Sequence, residues 1–405
     1  MIRILLLAIL TNFAFANALQ DAINSASDGD IIELGNSVYE GNIVINKPLT
    51  IDGKNVALIK GDNKANVITI KSGGVVLKNL KIAGSGNSHT SIDSAILCDN
   101  ANNVIIENND ISDSLFGVNF KQCNASKILN NKITSKDVDL GLRGDAIRLW
   151  YSHDNEIIKN HIYKSRDMIV WYSSNNIIKQ NLGEYGRYSL HFMYAGKNLV
   201  EENVFDKNSV GIFFMFSSGS LVRNNVIKNS TGAFGVGIGM KDTSDFTIIN
   251  NILTHNARGL YLDQSPFQPN TINTYENNQI LYNTIGVQMH ATLHKSVFKN
   301  NDFIGNMSVA INDTPGSKIN KNEWVNNYYD DYEGFDRNKD KIGDLPYQHY
   351  SYLDTLWQHQ PALRFFYASS VMSVLNFIMK LAPFSEPELL ITDATPRVLR
   401  HNNDE

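Results

Sequence analysis

From about residue 40 to residue 325 one pattern of apolar and polar positions recurs: two apolar residues, a polar one, Asn, any residue, then an apolar one. It reads Ile105-Ile106-Glu107-Asn108-Asn109-Asp110-Ile111, then Ile128-Leu129-Asn130-Asn131-Lys132-Ile133, then Ile157-Ile158-Lys159-Asn160-His161-Ile162. Later copies centre on Gln180, Asn203, Asn225, Asn251, Asn278, Asn301 and Asn322, at spacings of 20 to 29 residues. Periods of this size mark a solenoid, and the Ile/Val/Phe alternation inside each copy is a strand signal rather than a helix signal. Leucine-rich repeats share the period, but their leucine framework is missing. The pattern predicts an all-β chain, a right-handed parallel β-helix with short strands and Asn at the turns. Each coil buries its apolar residues by stacking on the next. Stacked Asn side chains hydrogen-bond along such a ladder, so the Asn column is read as structural.

The pattern changes at both ends. Ala18-Leu19-Gln20-Asp21-Ala22-Ile23-Asn24-Ser25-Ala26 carries apolar residues at helical spacing, as a short helix capping the solenoid's open end would. Before it, Arg3 is followed by Ile4-Leu5-Leu6-Leu7-Ala8-Ile9-Leu10 and an Ala14-Phe15-Ala16 ending. This has the form of a cleaved secretory signal. After Trp324 the repeat stops. From Gln360 to Phe384 a helical period returns, with Leu363, Phe366, Tyr367, Val371, Val374, Leu375, Ile378 and Leu381 on one side. Phe365, Met372, Phe377 and Met379 lie on the other, and the only charges are Arg364 and Lys380. A helix apolar nearly all round is buried or bound; a cap on the solenoid and a docking helix for a membrane partner both fit, with Phe365, Phe366, Phe377 and Met379 as its contacts. The expected division is a signal over residues 1–18, a β-helix over 19–326, an Asp-rich connection over 327–358, and a C-terminal helix and tail over 359–405.

Candidate chemistry sits on one strand face. Val118 and Phe120, Ile147 and Leu149, Leu190 and Phe192, Ile212 and Phe214 read as inward. The positions between them should be polar, and Asn119 and Lys121 are. Then they become Arg148 and Trp150, Ile169 and Trp171, His191 and Met193, Phe213 and Met215. Trp150, Trp171, Met193 and Met215 therefore form one outward column, stepping about 5 Å per coil, and a contiguous apolar column marks an interaction surface. Thioether and imidazole suit soft Cu(I): His191, Met193 and Met215 are the candidate ligands, with Met168 as a fourth. Met240 and Met289 align with Leu262 and read as core. Arg143-Gly144-Asp145 aligns approximately with Ser165-Arg166-Asp167, and Arg187 continues the column. Arg143, Arg148, Arg166 and Arg187 with Trp150 and Trp171 make a candidate partner surface. Asp145 and Asp167 could form a glycosidase-type acid pair, although mutual pairing with the arginines is favoured. In Asp336 to Asp344 oxygen ligands stand at Asp336, Asn338, Asp340 and Asp344, as in an EF-hand-like Ca²⁺ loop. The Gly at position 6 and the Glu at position 12 are missing, and a solvated turn is the stronger reading.

Composition narrows the field. Of 405 residues 51 are Asn and 9 are Pro, which fits a chain with many left-handed or side-chain-bonded turns. A net charge of −5 gives no general pull toward nucleic acid. Two cysteines, Cys98 and Cys123, support neither a disulfide scaffold nor a four-cysteine zinc site. They fall on different parts of the repeat, and unpaired thiols are expected. No stretch reaches the roughly 18 apolar residues of a membrane span.

Several phrases resemble the NosD family, the periplasmic β-helix factors of nitrous oxide reductase maturation. They are Arg143-Gly144-Asp145-Ala146-Ile147-Arg148-Leu149-Trp150-Tyr151-Ser152, Ser165 through Ser173, Gly186 through Tyr194, Gly237 through Asp242, Gly259 through Asp263, the loop from Asn327 to Tyr347, and Ser385-Glu386-Pro387-Glu388-Leu389-Leu390. The resemblance implies a periplasmic protein held at the membrane by its partners, an ABC-type permease with its ATPase. It further implies a copper chaperone lipoprotein as donor and the reductase's copper–sulfide centre as destination. It brings no catalytic residue. The rival reading is a carbohydrate-active β-helix enzyme using Asp145 and Asp167, with Trp150 and Trp171 as sugar platforms.

Overall fold

A computed structural model describes residues 4–7, 18–314, 316–351, 360–366, 369–382 and 387–400. The chain divides into two compact units, residues 1–208 and 209–405, and each is a stack of coils of a right-handed parallel β-helix. In the N-terminal unit one coil runs Glu156–Ile158, His161–Tyr163, Asp167–Trp171. Each strand pairs in parallel with its counterpart in the next coil: Ile177–Lys179, Leu182–Glu184 and Tyr188–Met193. In the C-terminal unit Thr247–Ile249, Ile252–Thr254 and Arg258–Asp263 pair likewise with Asn273–Glu276, Gln279–Leu281 and Ile285–His290. The alternation within strands buries the expected residues: Val118, Phe120, Ile147, Leu149, Leu190, Phe192, Ile212 and Phe214 are all inside. Met240 and Met289 are core, level with Leu262.

The turns explain the asparagines. Asn109, Asn131, Asn160, Asn181 and Asn203 form one buried column, in which each side-chain oxygen accepts from the backbone N–H and the Nδ2 of the Asn one coil earlier, at 2.9–3.0 Å. Each Nδ2 also donates to a strand carbonyl; Asn181 donates to Ile157 at 2.9 Å. In the C-terminal unit Asn225, Asn251, Asn278, Asn301 and Asn327 repeat the arrangement. The residue before each ladder Asn takes a left-handed φ, as at Asn108, Asn130, Lys159 and Gln180. The ladder member is therefore Asn181 rather than Gln180, and Asn327 rather than Asn322. At Gln180 the period admits either neighbour, and the one after the left-handed turn joins the ladder; Asn322 belongs to a different turn, where its Oδ1 accepts from the Ser296 N–H at 2.9 Å.

Both ends are closed. Helix α1, Ala18–Ser25, buries Leu19, Ala22 and Ile23, and the Gln20 amide accepts from the Val44 N–H at 2.8 Å and donates to its carbonyl at 3.0 Å. Ahead of it Ile4–Leu7 pairs in parallel with Ile31–Leu34; the small-residue end of the expected signal, residues 14–17, lies outside the described residues. At the other end Glu388–Asp393 pairs antiparallel with Tyr347–Ser351. Its buried Asp393 takes the place of the next ladder Asn, with Oδ2 accepting from both Asn327 nitrogens at 3.0 Å. A carboxylate that ends a ladder of amides does not show in a periodic pattern.

Two expectations are corrected. Cys98 and Cys123 are joined in a disulfide: Cys98 closes an inward strand position and Cys123 the following coil's turn, both fully buried. The predicted single helix from Pro361 is divided into a 3-10 segment, Pro361–Phe366, and helix α2, Ser370–Leu381, whose N-cap Ser369 oxygen accepts from the Met372 N–H at 3.3 Å. Phe384 and Tyr367 lie outside the described residues.

Candidate functional site

The strand register follows the alternation, but of the positions read as outward Asn119, Ile169 and His191 are buried. Lys121, Trp150, Trp171 and Met193 are successive cross-strand partners, and Asn119, Arg148, Ile169 and His191 form the column beside them. Trp150, Trp171 and Met193 lie outside the core but are half-buried, less open than a bare outward position. The covering is mutual. The Trp150 and Trp171 rings are 6.0 Å apart, and the Arg148 guanidinium sits 5.0 Å from one centroid and 5.1 Å from the other. His191 is buried, stacked on Tyr188 at 4.9 Å and edge-on to Trp171 at 5.7 Å. Burial pushes its imidazole down to about 4, so it is neutral at pH 7 and a competent metal donor. Met215, in the C-terminal unit, is half-buried at the equivalent position of Val210–Met215.

Met168 is not a donor candidate. It pairs with Ile147 and is buried in the core. The register shifts between Asp167 and Ile169, a bulge that accommodates one more residue in the following coil. The same register corrects the charged cluster. With Ile147 opposite Met168, Asp145 falls level with Arg166, not with Asp167. Arg166 Nε and Nη2 donate to Asp145 Oδ1 at 3.1 and 2.9 Å. Arg187 Nε donates to Asp167 Oδ1 at 3.0 Å, and its Nη2 bonds the other oxygen. Arg148 lies 3.8 Å from Asp145. Burial pushes Asp145 up to about 6, against the pull of Arg166 and Arg148 and with a contribution from Asp167. Both carboxylates are fully enclosed and ion-paired, which is not the arrangement of an acid pair flanking a substrate bond. Arg143 leaves the cluster: its Nε donates to the Val138 carbonyl at 2.8 Å in the preceding loop.

A feature absent from the sequence reading follows the tryptophans. Tyr151, Tyr172 and Tyr194 occupy left-handed turn positions in successive coils. Their rings stack at 4.9 Å and 5.1 Å, within 6° and 11° of parallel. The signal was the Tyr after each outward Trp or Met, at a turn position where Asn or Gly is the cheaper residue.

Elsewhere, Asp336 accepts from the N–H groups of Lys339, Asp340 and Lys341 at 2.6, 3.2 and 2.9 Å, Asp340 from Ile342 at 2.8 Å and Asp344 from Arg337 at 3.0 Å. Lys341 takes the left-handed φ of +70° where an EF-hand has Gly. Among the described residues no group of three or more His, Cys, Asp or Glu suits a metal ion. With both cysteines in a disulfide, the soft donors left are Met thioethers and imidazoles. On α2, Phe377 and the preceding Phe365 and Phe366 are exposed, as are Val371, Val374, Leu375, Ile378 and Leu381, whereas Met379 turns inward with Met372, one heptad apart. Met379 is thus a packing residue and not a docking contact.

A family model described as periplasmic copper-binding protein (NosD) matches residues 129–334, the stretch that holds Trp150, Trp171 and Met193. The chain belongs to the NosD family. Two NosD relatives named as ABC transporter binding proteins extend the similarity over nearly the whole length. One, from Pseudomonas aeruginosa, is 27% identical over 97% of this chain and 96% of its own. The other, from Stutzerimonas stutzeri, is 26% identical over 85% and 81%. Solved structures share the fold. The A-module of the mannuronan C-5 epimerase AlgE6 of Azotobacter vinelandii superposes with a TM-score of 0.59 at 14% identity, covering 76% of this chain and 92% of its own. The surface adhesin PfbA of Streptococcus pneumoniae gives 0.60 at 15%, covering 74% and 89%. An enzyme and an adhesin on one scaffold mean that function has to come from the NosD side chains, not from the β-helix. No helix among the described residues is long and apolar enough to cross a membrane.

Proposed function

We propose that this protein is an exported, non-catalytic assembly factor that handles Cu(I) for the copper–sulfide centre of nitrous oxide reductase while docked on an ABC-type transporter. The carrying observation is full-length similarity to a NosD protein named as an ABC transporter binding protein. In this reading the copper is cargo. Met193 offers a half-open thioether and His191 a neutral imidazole, soft donors suited to Cu(I), and Met215 is a candidate thioether of the C-terminal unit. The lipoprotein chaperone supplies the ion and the reductase receives it. The buried disulfide supports export, because such bonds persist in oxidising compartments. Cleavage after residue 18 would put the new N-terminus at Leu19, in the first turn of α1 and buried.

The docking element is α2. Six of its eight exposed described side chains are apolar, its length is far below the roughly 20 residues of a spanning helix, and a permease surface at the membrane edge would cover it. Excising Ser370–Leu381 while keeping the Asp393 strand should leave the coils folded and abolish co-purification with the permease–ATPase complex. Undiminished co-purification would refute α2 as the docking element. For the carbohydrate-active alternative the enclosed Asp145 and Asp167 offer no support.

A further inference from the structure

The arginines over the buried carboxylates have an orientation that pairing alone does not require. The Asp145 and Asp167 side chains are 0% exposed, whereas Arg148, Arg166 and Arg187 are 13%, 21% and 44% exposed. Arg166 and Arg187 each turn their Nε–Nη2 edge down onto a carboxylate. A guanidinium carries five donors in a fixed fork, so the Nη1 donors are left over from the bond to the carboxylate. Arg187 stands one coil beyond Arg166, its N–H donating to the Arg166 carbonyl at 2.7 Å. The positive charges therefore reach the surface and their counter-charges lie beneath it. The aromatic side chains beside them reinforce the sign. Tyr151, Tyr172 and Tyr194 stack face to face, and the edge that stacking leaves uncovered is the positive part of an aromatic ring.

We infer that this face of the N-terminal unit is a docking surface for an acidic segment of a protein partner, whose carboxylates take the Nη1 donors of Arg166 and Arg187. The inference rests on the reading of the chain as a docking protein and names the chemistry of one partner. Anionic polysaccharide is the other polymer that arginines could hold. Sugars, however, stack on open ring faces, and here Arg148 occupies those of Trp150 and Trp171. Trp, Tyr and Arg together are also the residues that dominate protein–protein hot spots.

The test uses the mature full-length protein and a fluorescent peptide of alternating Glu and Ser, read by polarisation. Each guanidinium is removed together with the carboxylate it grips, as R187Q/D167N and R166Q/D145N, so that no buried carboxylate is left unpaired. Each double variant should weaken the peptide by roughly tenfold or more, added salt should weaken the wild type, and the Lys/Ser peptide should not bind. Should a double variant fail to fold, Arg187→Lys keeps the ion pair with Asp167 and loses the Nη1 donors, and the same direction of change is expected. Unchanged affinity in folded variants overturns the inference, and so does displacement of the peptide by polygalacturonate. Co-purification of the same variants with the transporter is read in parallel; if it is retained while the peptide arm fails, this inference falls and the docking role of α2 stands.

Discussion

Asp145 and His191 sit in the same coils, and burial moves them in opposite directions. The Asp145 carboxyl, up to about 6 from 3.8, keeps its proton in the folded state where the unfolded chain has lost it. Its contribution to stability is present below about pH 4 and is lost as pH rises to 6. The His191 imidazole, down to about 4 from 6.5, does the reverse: its contribution is present above pH 6.5 and is lost as pH falls to 4. Each shift corresponds to about 3 kcal/mol, so in the wild type the two largely offset. In chemical denaturation across this range, the stability of D145N minus that of the wild type should climb by about that much between pH 4 and 6. The same difference for His191→Asn should fall between pH 4 and 6.5. Flat differences would show that neither group is buried as described. Little of this was legible in the sequence: the pairing of Asp145 with Arg166 rather than level with Asp167, and the burial of Met168, both follow from Ile147 standing opposite Met168.

At the scale of the elements the turn does the specifying. Asn181 accepts two hydrogen bonds from Asn160 and donates to Ile157 and Asn203; Asn181→Ala strips all four inside a closed core. An unsatisfied buried polar group costs about 1–3 kcal/mol, so a loss of several kcal/mol is expected in urea denaturation. Gln180→Asn, at the left-handed position beside it, should be neutral or slightly stabilising. Equal effects at the two positions would disprove the assignment of the ladder. The Cys98–Cys123 bond spans 25 residues, and closing such a loop stabilises by about 3–4 kcal/mol in the chain-entropy account. Replacing both cysteines by Ala should lower stability by that order. The ladder's existence was legible, because the Asn recurs with a solenoid's period. Its exact member and the disulfide were not, because both depend on which side of a turn faces inward.

Across the whole molecule, the fold class, the capping helix and the outward column could be read before any coordinates, since each is a periodic feature and the coils are equivalent. What escaped prediction lies where the period ends. The Asp393 strand closes the Asn ladder from 66 residues away, and α2 separates from the 3-10 turn at Pro361–Phe366. Asp393→Ala should therefore destabilise the C-terminal unit, leaving both Asn327 donors unpaired at a cost of about 1–3 kcal/mol each, whereas excision of α2 should change the melting temperature little. A large loss of thermal stability on removing α2 would make it a cap. The two edits separate a stabilising terminus from a docking one within the same tail.

The central claim is that outward thioethers and the neutral imidazole carry Cu(I) on its way to the reductase. The measurement that bears on it most directly is the copper content of the copper–sulfide centre in reductase purified from cells whose only copy of this protein is H191Q/M193L/M215L. These replacements keep side-chain volume, so the coils should stay folded. The account predicts reductase lacking that centre, while the variant accumulates at normal levels. A fully loaded centre in that strain would contradict it.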